Sequence, residues 1–123
     1  MAVQSLWSRE ATRQLFRRYG SVTIANGASL SDAFEIGMAN NVVVQVDTVG
    51  WTAAGISFQV SLDGTSWSDL LNASGEVTFP SDAAGRAYQV PAGGFRYIKV
   101  RSGTSGAPVN QGAARTILVG AYD

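Results

Sequence analysis

The stretch Phe58-Gln-Val-Ser-Leu-Asp-Gly-Thr-Ser-Trp-Ser-Asp-Leu, ending at Leu70, decides the fold. It starts as an alternating strand, breaks at Asp63-Gly64 and resumes behind Trp67. Asp-Gly between alternating hydrophobics predicts a β-hairpin with a type I′ turn, in which both central residues need positive φ. On the upstream side Ile56, Phe58, Val60 and Leu62 alternate with Ser57, Gln59 and Ser61. That is the period of a strand with one face in a core.

The same period runs outward in both directions. Val22 and Ile24 alternate with Ser21, Thr23 and Ala25 before Asn26-Gly27 breaks the strand. Phe34 and Ile36 form a second short strand. Val42 to Val46 is a nearly continuous apolar run, the signature of a strand covered on both faces. Downstream, Val77–Phe79 and Ala87–Val90 are short strands closed by Pro80 and Pro91. Phe95–Arg101 is a long strand carrying Arg96, Lys99 and Arg101, and Thr116–Ala121 closes the chain. About eight short strands spaced by turn clusters predict an all-β, jelly-roll-like β-sandwich over residues 21–123. Ser102–Gly112 is the longest expected loop.

Residues 1–20 read differently. Trp7, Ala11, Leu15 and Tyr19 recur every four positions, with Phe16 beside them. This spacing predicts a short amphipathic helix over about 5–19, capped by Ser5 and ended by Gly20. The segment holds Arg9, Arg13, Arg17 and Arg18 against Glu10, a net of +3, and the rest of the chain carries −3. An arm with an aromatic face and an arginine face can pack on its own domain, dock onto a neighbouring subunit, or lie on a membrane or nucleic acid. With one Trp, no Lys and about four turns, the membrane reading ranks last.

Composition excludes much chemistry. The chain has 123 residues, zero net charge, 15% charged residues and 14 glycines, with no Cys and no His. Zero net charge gives no overall nucleic-acid footprint. Without Cys there is no disulfide framework. Without His the usual general base, zinc ligand and near-neutral switch are missing. No apolar run spans a membrane, and the first residues lack the apolar core of a signal peptide, so synthesis in the host cytoplasm without export is expected. The single lysine, Lys99, reads as a solvated strand charge. Asp63 is needed by its turn, which argues against a catalytic pair with Asp69. No phosphate loop or dinucleotide fingerprint is present. The expectation is no enzyme, no cofactor and no metal. Trp51, Trp67, Tyr88 and Tyr97 remain open to two readings, as core fillers or as flat faces for a sugar.

The run from Trp51 to Leu70, together with Phe95-Arg-Tyr-Ile-Lys-Val-Arg-Ser-Gly-Thr and Pro108-Val-Asn-Gln, resembles small structural proteins of tailed bacteriophages. The resemblance covers residues 22–120. It implies a virion component with a β-sandwich or jelly-roll domain and no enzymatic activity. A capsid decoration (cement) protein fits best. Such proteins sit on the head surface, often as homotrimers, and bridge copies of the major capsid protein. The arm lies outside the shared pattern, so Trp7, Arg13, Phe16, Arg17 and Arg18 are the candidate partner contacts. Nucleic acid and membrane are not expected partners. The Ser-x-Asp-Gly-x-x-Trp hairpin also resembles one in discoidin-like carbohydrate-binding modules, over about ten residues. It supports an alternative, a tail, baseplate or fibre module that binds a host glycan through Trp51 or Trp67.

Overall fold

A computed structural model describes residues 17–46, 50–80 and 85–123. Its strands are β1 (Arg17–Ile24), β2 (Phe34–Glu35), β3 (Asn41–Val46), β4 (Ile56–Ser61), β5 (Ser68–Asp69), β6 (Leu71–Asn72), β7 (Gly75–Glu76), β8 (Arg86–Val90), β9 (Tyr97–Ser102) and β10 (Arg115–Tyr122). No helix occurs among the described residues. The strands make two four-stranded antiparallel sheets, ordered β1-β10-β3-β8 and β2-β9-β4-β5, with β6-β7 as a small separate hairpin. Leaving out that hairpin, the pairs nest as β1 with β10, β2 with β9, β3 with β8 and β4 with β5. This is one long hairpin rolled across two sheets, the jelly-roll topology expected from the strand spacing.

The core lies between the sheets and follows the period-two pattern. Val22 and Ile24 of β1, Val42, Val44 and Val46 of β3, and Ile117, Val119 and Ala121 of β10 point in from one side. Ile56, Phe58 and Val60 of β4 and Ile98 and Val100 of β9 point in from the other. Phe79 closes the core edge-on to Phe58 at 5.9 Å and stacks on Tyr88 at 4.3 Å.

Three sequence expectations change. Residues 5–16 of the expected helix lie outside the described residues, but its last turn is strand. Arg17, Arg18 and Tyr19 pair with Tyr122, Ala121 and Gly120, so ladder bonds to β10 take the amides a helix would use. Gly20 therefore ends no helix. It sits inside β1, where a Cβ would meet the Phe34 ring at 2.7 Å.

The Asp63-Gly64 turn is wider than a two-residue type I′ turn. Gly64 has φ +80°, but Asp63 is not left-handed, and the return strand starts only at Ser68. Asp63 instead accepts hydrogen bonds from the Thr65 and Ser66 amides, both at 2.8 Å, and from the Ser61 hydroxyl. A type I′ geometry occurs elsewhere, at Gly37-Met38, both at φ 63° and closed by the Ala39 amide on the Ile36 carbonyl. The third change concerns Val77–Phe79. It forms no strand of its own. The β6-β7 hairpin precedes it, and Phe79 makes a single bridge to Ile56.

Candidate functional site

The two sheets present chemically different outer faces. On β2-β9-β4-β5 the outward positions include Glu35, Tyr97, Lys99, Arg101, Gln59 and Asp69. Arg101 is only 5% exposed despite facing outward, because the β6-β7 hairpin brings Glu76 over it. Its guanidinium bonds Asp69, Glu76 at 3.0 Å and the Ser57 hydroxyl at 3.3 Å. Glu76 also accepts the Ser105 amide at 3.0 Å. The cluster ties strand, hairpin and loop together, with one guanidinium bridging both carboxylates. A buried cation held by two carboxylates and a hydroxyl is structural clasp chemistry.

The resemblance motifs are explained in the same way. Arg101 is the first residue of Arg-Ser-Gly-Thr, and Gly103 holds φ +89° where a Cβ would lie 2.5 Å from the Ala107 carbonyl. Gln111 closes Pro-Val-Asn-Gln. It is 1% exposed, accepts the Thr52 amide at 2.8 Å and the Arg115 guanidinium at 2.9 Å, and donates to Ser102 Oγ at 2.7 Å. These residues fasten the Ser102–Gly112 loop to the sandwich.

The aromatic candidates divide. Trp51 is buried, its indole N–H on the Ala54 carbonyl at 3.0 Å, and Tyr88 stacks inside on Phe79. Trp67 and Tyr97 share the outer β2-β9-β4-β5 face, half-buried and 6.5 Å apart. Lys99, expected to be solvated, lies 4.4 Å over the Trp67 ring, a cation–π contact. Asp63 sits in the loop beside them. The Ser66 and Thr65 amides, then the Ser61 hydroxyl, hold its carboxyl below the ordinary value.

Of the arm contacts, Trp7, Arg13 and Phe16 lie outside the described residues. Arg17 and Arg18 open β1, an edge strand. Arg17 faces outward opposite Tyr122, and Arg18 reaches Glu35 at 3.8 Å. Arg96 holds the same carboxylate from the other side at 3.4 Å. Sequence reasoning could place Arg18 near a partner but not find Glu35, which only the crossover to β2 brings close.

A cleft of about 350 Å³ runs along Asn40, Asn41, Val43, Gln89, Pro91 and Tyr122. It contains no carboxylate or cation to support acid–base chemistry. Among the described residues no three His, Cys, Asp or Glu side chains gather to hold a metal.

No family model matches the chain, and no curated protein matches it in sequence. Solved structures resemble the chain to different degrees. A protein derived from the SPBc2 prophage, YomS, superposes with a TM-score of 0.53 at 14% identity, over 85% of this chain and 93% of that one. A cupin domain from Bordetella pertussis gives 0.43 at 11% identity, over 87% and 81%. A carbohydrate-binding module from a Clostridium perfringens family 31 glycoside hydrolase gives 0.41 at 16%, over 81% and 75%. At these identities the likeness to YomS is one of fold, an all-β sandwich shared with a prophage protein.

Proposed function

We propose that the chain is a structural protein of a tailed-phage virion, a decoration protein on the head surface that binds the major capsid protein and stabilises the lattice. The observation that carries this reading is where the arm is rooted. Arg17 and Arg18 begin edge strand β1, so residues 1–16, with Trp7, Arg13 and Phe16, join the sandwich at its rim. A segment rooted there can cross to a neighbour without disturbing the core. Its aromatics would fill apolar pockets and its arginines would meet carboxylates, as interface anchors do. Binding the assembled lattice in preference to free subunits stabilises the lattice by mass action. The fold supplies a rigid mount, and the chemistry of the reading is binding, with no catalytic step.

The test is co-sedimentation with heads stripped of this protein. Deletion of residues 2–16 leaves every β1 pair in place and should abolish binding. Reversing Arg17 and Arg18 to Glu should weaken binding and flatten its salt dependence. A truncated protein that still saturates heads refutes the arm assignment.

A second reading rests on Trp67. It is half-buried on an outward face, 6.5 Å from Tyr97 and with Lys99 over its ring, an aromatic beside a polar group of the kind that suits a sugar. A glycan array that lights up with the wild type and goes dark with Trp67→Ala would favour a tail or fibre module instead.

A further inference from the structure

The outer face of β1-β10-β3-β8 carries almost no charge, yet it is rich in hydrogen-bonding groups. Register turns Tyr19, Tyr122, Asn41, Gln45 and Gln89 outward on it, with small or aliphatic residues between them. Of the outward positions on these four strands only Arg17, at a corner, is charged. A solvated surface has about 25–35% charged residues, and the opposite face of this protein has Glu35, Lys99, Arg101 and Asp69. The polar groups here are neutral. Asn41, Gln45 and Gln89 are exposed carboxamides, and Tyr19 and Tyr122 are 78% and 40% exposed. No hydrogen bond within the described residues engages any of these five side chains.

The same groups border two hollows. The cleft of about 350 Å³ runs beside Asn41, Gln89 and Tyr122, and a smaller one of about 140 Å³ lies among Tyr19, Gln45 and Ala87. Val43 lines both, so they join into one trough across the sheet. Gly120 keeps the floor low, since a Cβ there would reach Val43 Cγ2 at 3.1 Å. Tyr19 pairs with Gly120, and Tyr122 stands two residues on. That diagonal relation sets the two tyrosines about 7–8 Å apart at the backbone. No carboxylate, guanidinium or ammonium lines either part.

We propose that this trough binds a neutral oligosaccharide. A sugar presents neighbouring hydroxyls, each a donor and an acceptor, and a carboxamide answers with both. The C–H faces of its rings pack on aromatic side chains, which Tyr19 and Tyr122 supply together with a phenol hydroxyl each. Two such platforms suit two sugar units. The cleft at the Tyr122 end falls within the roughly 300–1,000 Å³ of small-molecule sites. Other occupants fit worse. An anionic ligand would find no cation in the trough to pair with. A purely apolar one would cover three carboxamides and leave them without hydrogen bonds. The site is separate from Trp67, which stands on the other sheet, and it rests on neither placement of the chain in a virion.

An array of neutral hexose and N-acetylhexosamine oligosaccharides, with sialylated and sulfated glycans beside them, tests it on the full chain. Binding to neutral members is expected. The strongest of them then serves as the probe in titration calorimetry. Tyr122→Ala and, separately, Gln89→Ala change exposed positions away from the core. Each should raise the dissociation constant at least about 10-fold, because one removes a ring platform and the other a hydrogen-bonding partner. An unchanged circular dichroism spectrum would show that the fold survives. Trp67→Ala should leave the constant as it is. An array dark for neutral glycans, a preference for the sialylated or sulfated ones, or binding that survives both trough substitutions overturns the proposal. A sugar-binding chain that ignores phage heads would remove the virion reading and leave this one standing. Heads decorated by a chain that binds no neutral glycan would do the reverse.

Discussion

Replacing Arg101 by Met should be the most damaging single change outside the apolar core. The Arg101 side chain is 6% exposed, while its partners Asp69 and Glu76 are 36% and 18% exposed. Met keeps most of the stem's packing but leaves two carboxylates facing one another, one of them largely buried. Breaking a buried pair by removing one partner costs about 3–5 kcal/mol. Asp69 can turn toward water, which places the loss near the lower end, about 3 kcal/mol. For a domain of this size that corresponds to about 10–15 °C in Tm. Arg96→Met provides the contrast. Its pair with Glu35 is exposed at 49% and 37%, so it should cost no more than about 0.5 kcal/mol. Urea unfolding of both variants measures the difference. Adding Glu76→Gln to Arg101→Met should recover part of the loss, since it removes one of the opposed charges. An Arg101→Met variant within about 0.5 kcal/mol of wild type would refute the clasp.

Two further outcomes are expected. Gly20→Ala should destabilise by about 1–3 kcal/mol in thermal unfolding, because the new Cβ lies 2.7 Å from the Phe34 ring. A neutral or stabilising result would mean that residues 17–20 are not strand. Asp63 has a carboxyl held below its ordinary value, so its contribution is present above about pH 4 and lost as pH falls through the lowered folded value. The stability gap between wild type and Asp63→Asn should be constant above about pH 5 and close in more acid solution. A gap that widens as the pH drops would reverse the sign of this account.

Much of the sandwich was legible because period two is a strong signal where small polar residues separate large apolar ones, as in Ile56–Ser61. The reading of Val42–Val46 as covered on both faces is instructive. One chain covers only Val42, Val44 and Val46, and Val43 is left on the open face. The arm was misread at its end for a simple reason. A spacing of four is also two strand periods, so Trp7, Ala11, Leu15 and Tyr19 share a face in either structure, and only pairing with β10 decides for Tyr19. Asp63-Gly64 was located correctly but given the wrong turn, since a carboxylate that binds two following amides competes with the I′ geometry. Arg101 was invisible as a buried group because its partners come from Asp69 and Glu76, set by the β6-β7 hairpin. Of the candidate contacts, only Arg17 and Arg18 fall within the described residues, and both stand at the rim of the sandwich.

The central claim is placement on the phage head. Immunogold electron microscopy of particles released from cells that express this chain, with an antibody raised against it, tests it most directly. The account predicts gold spread over the head surface. Gold confined to the tail tip would contradict it and turn attention to Trp67 and a host glycan.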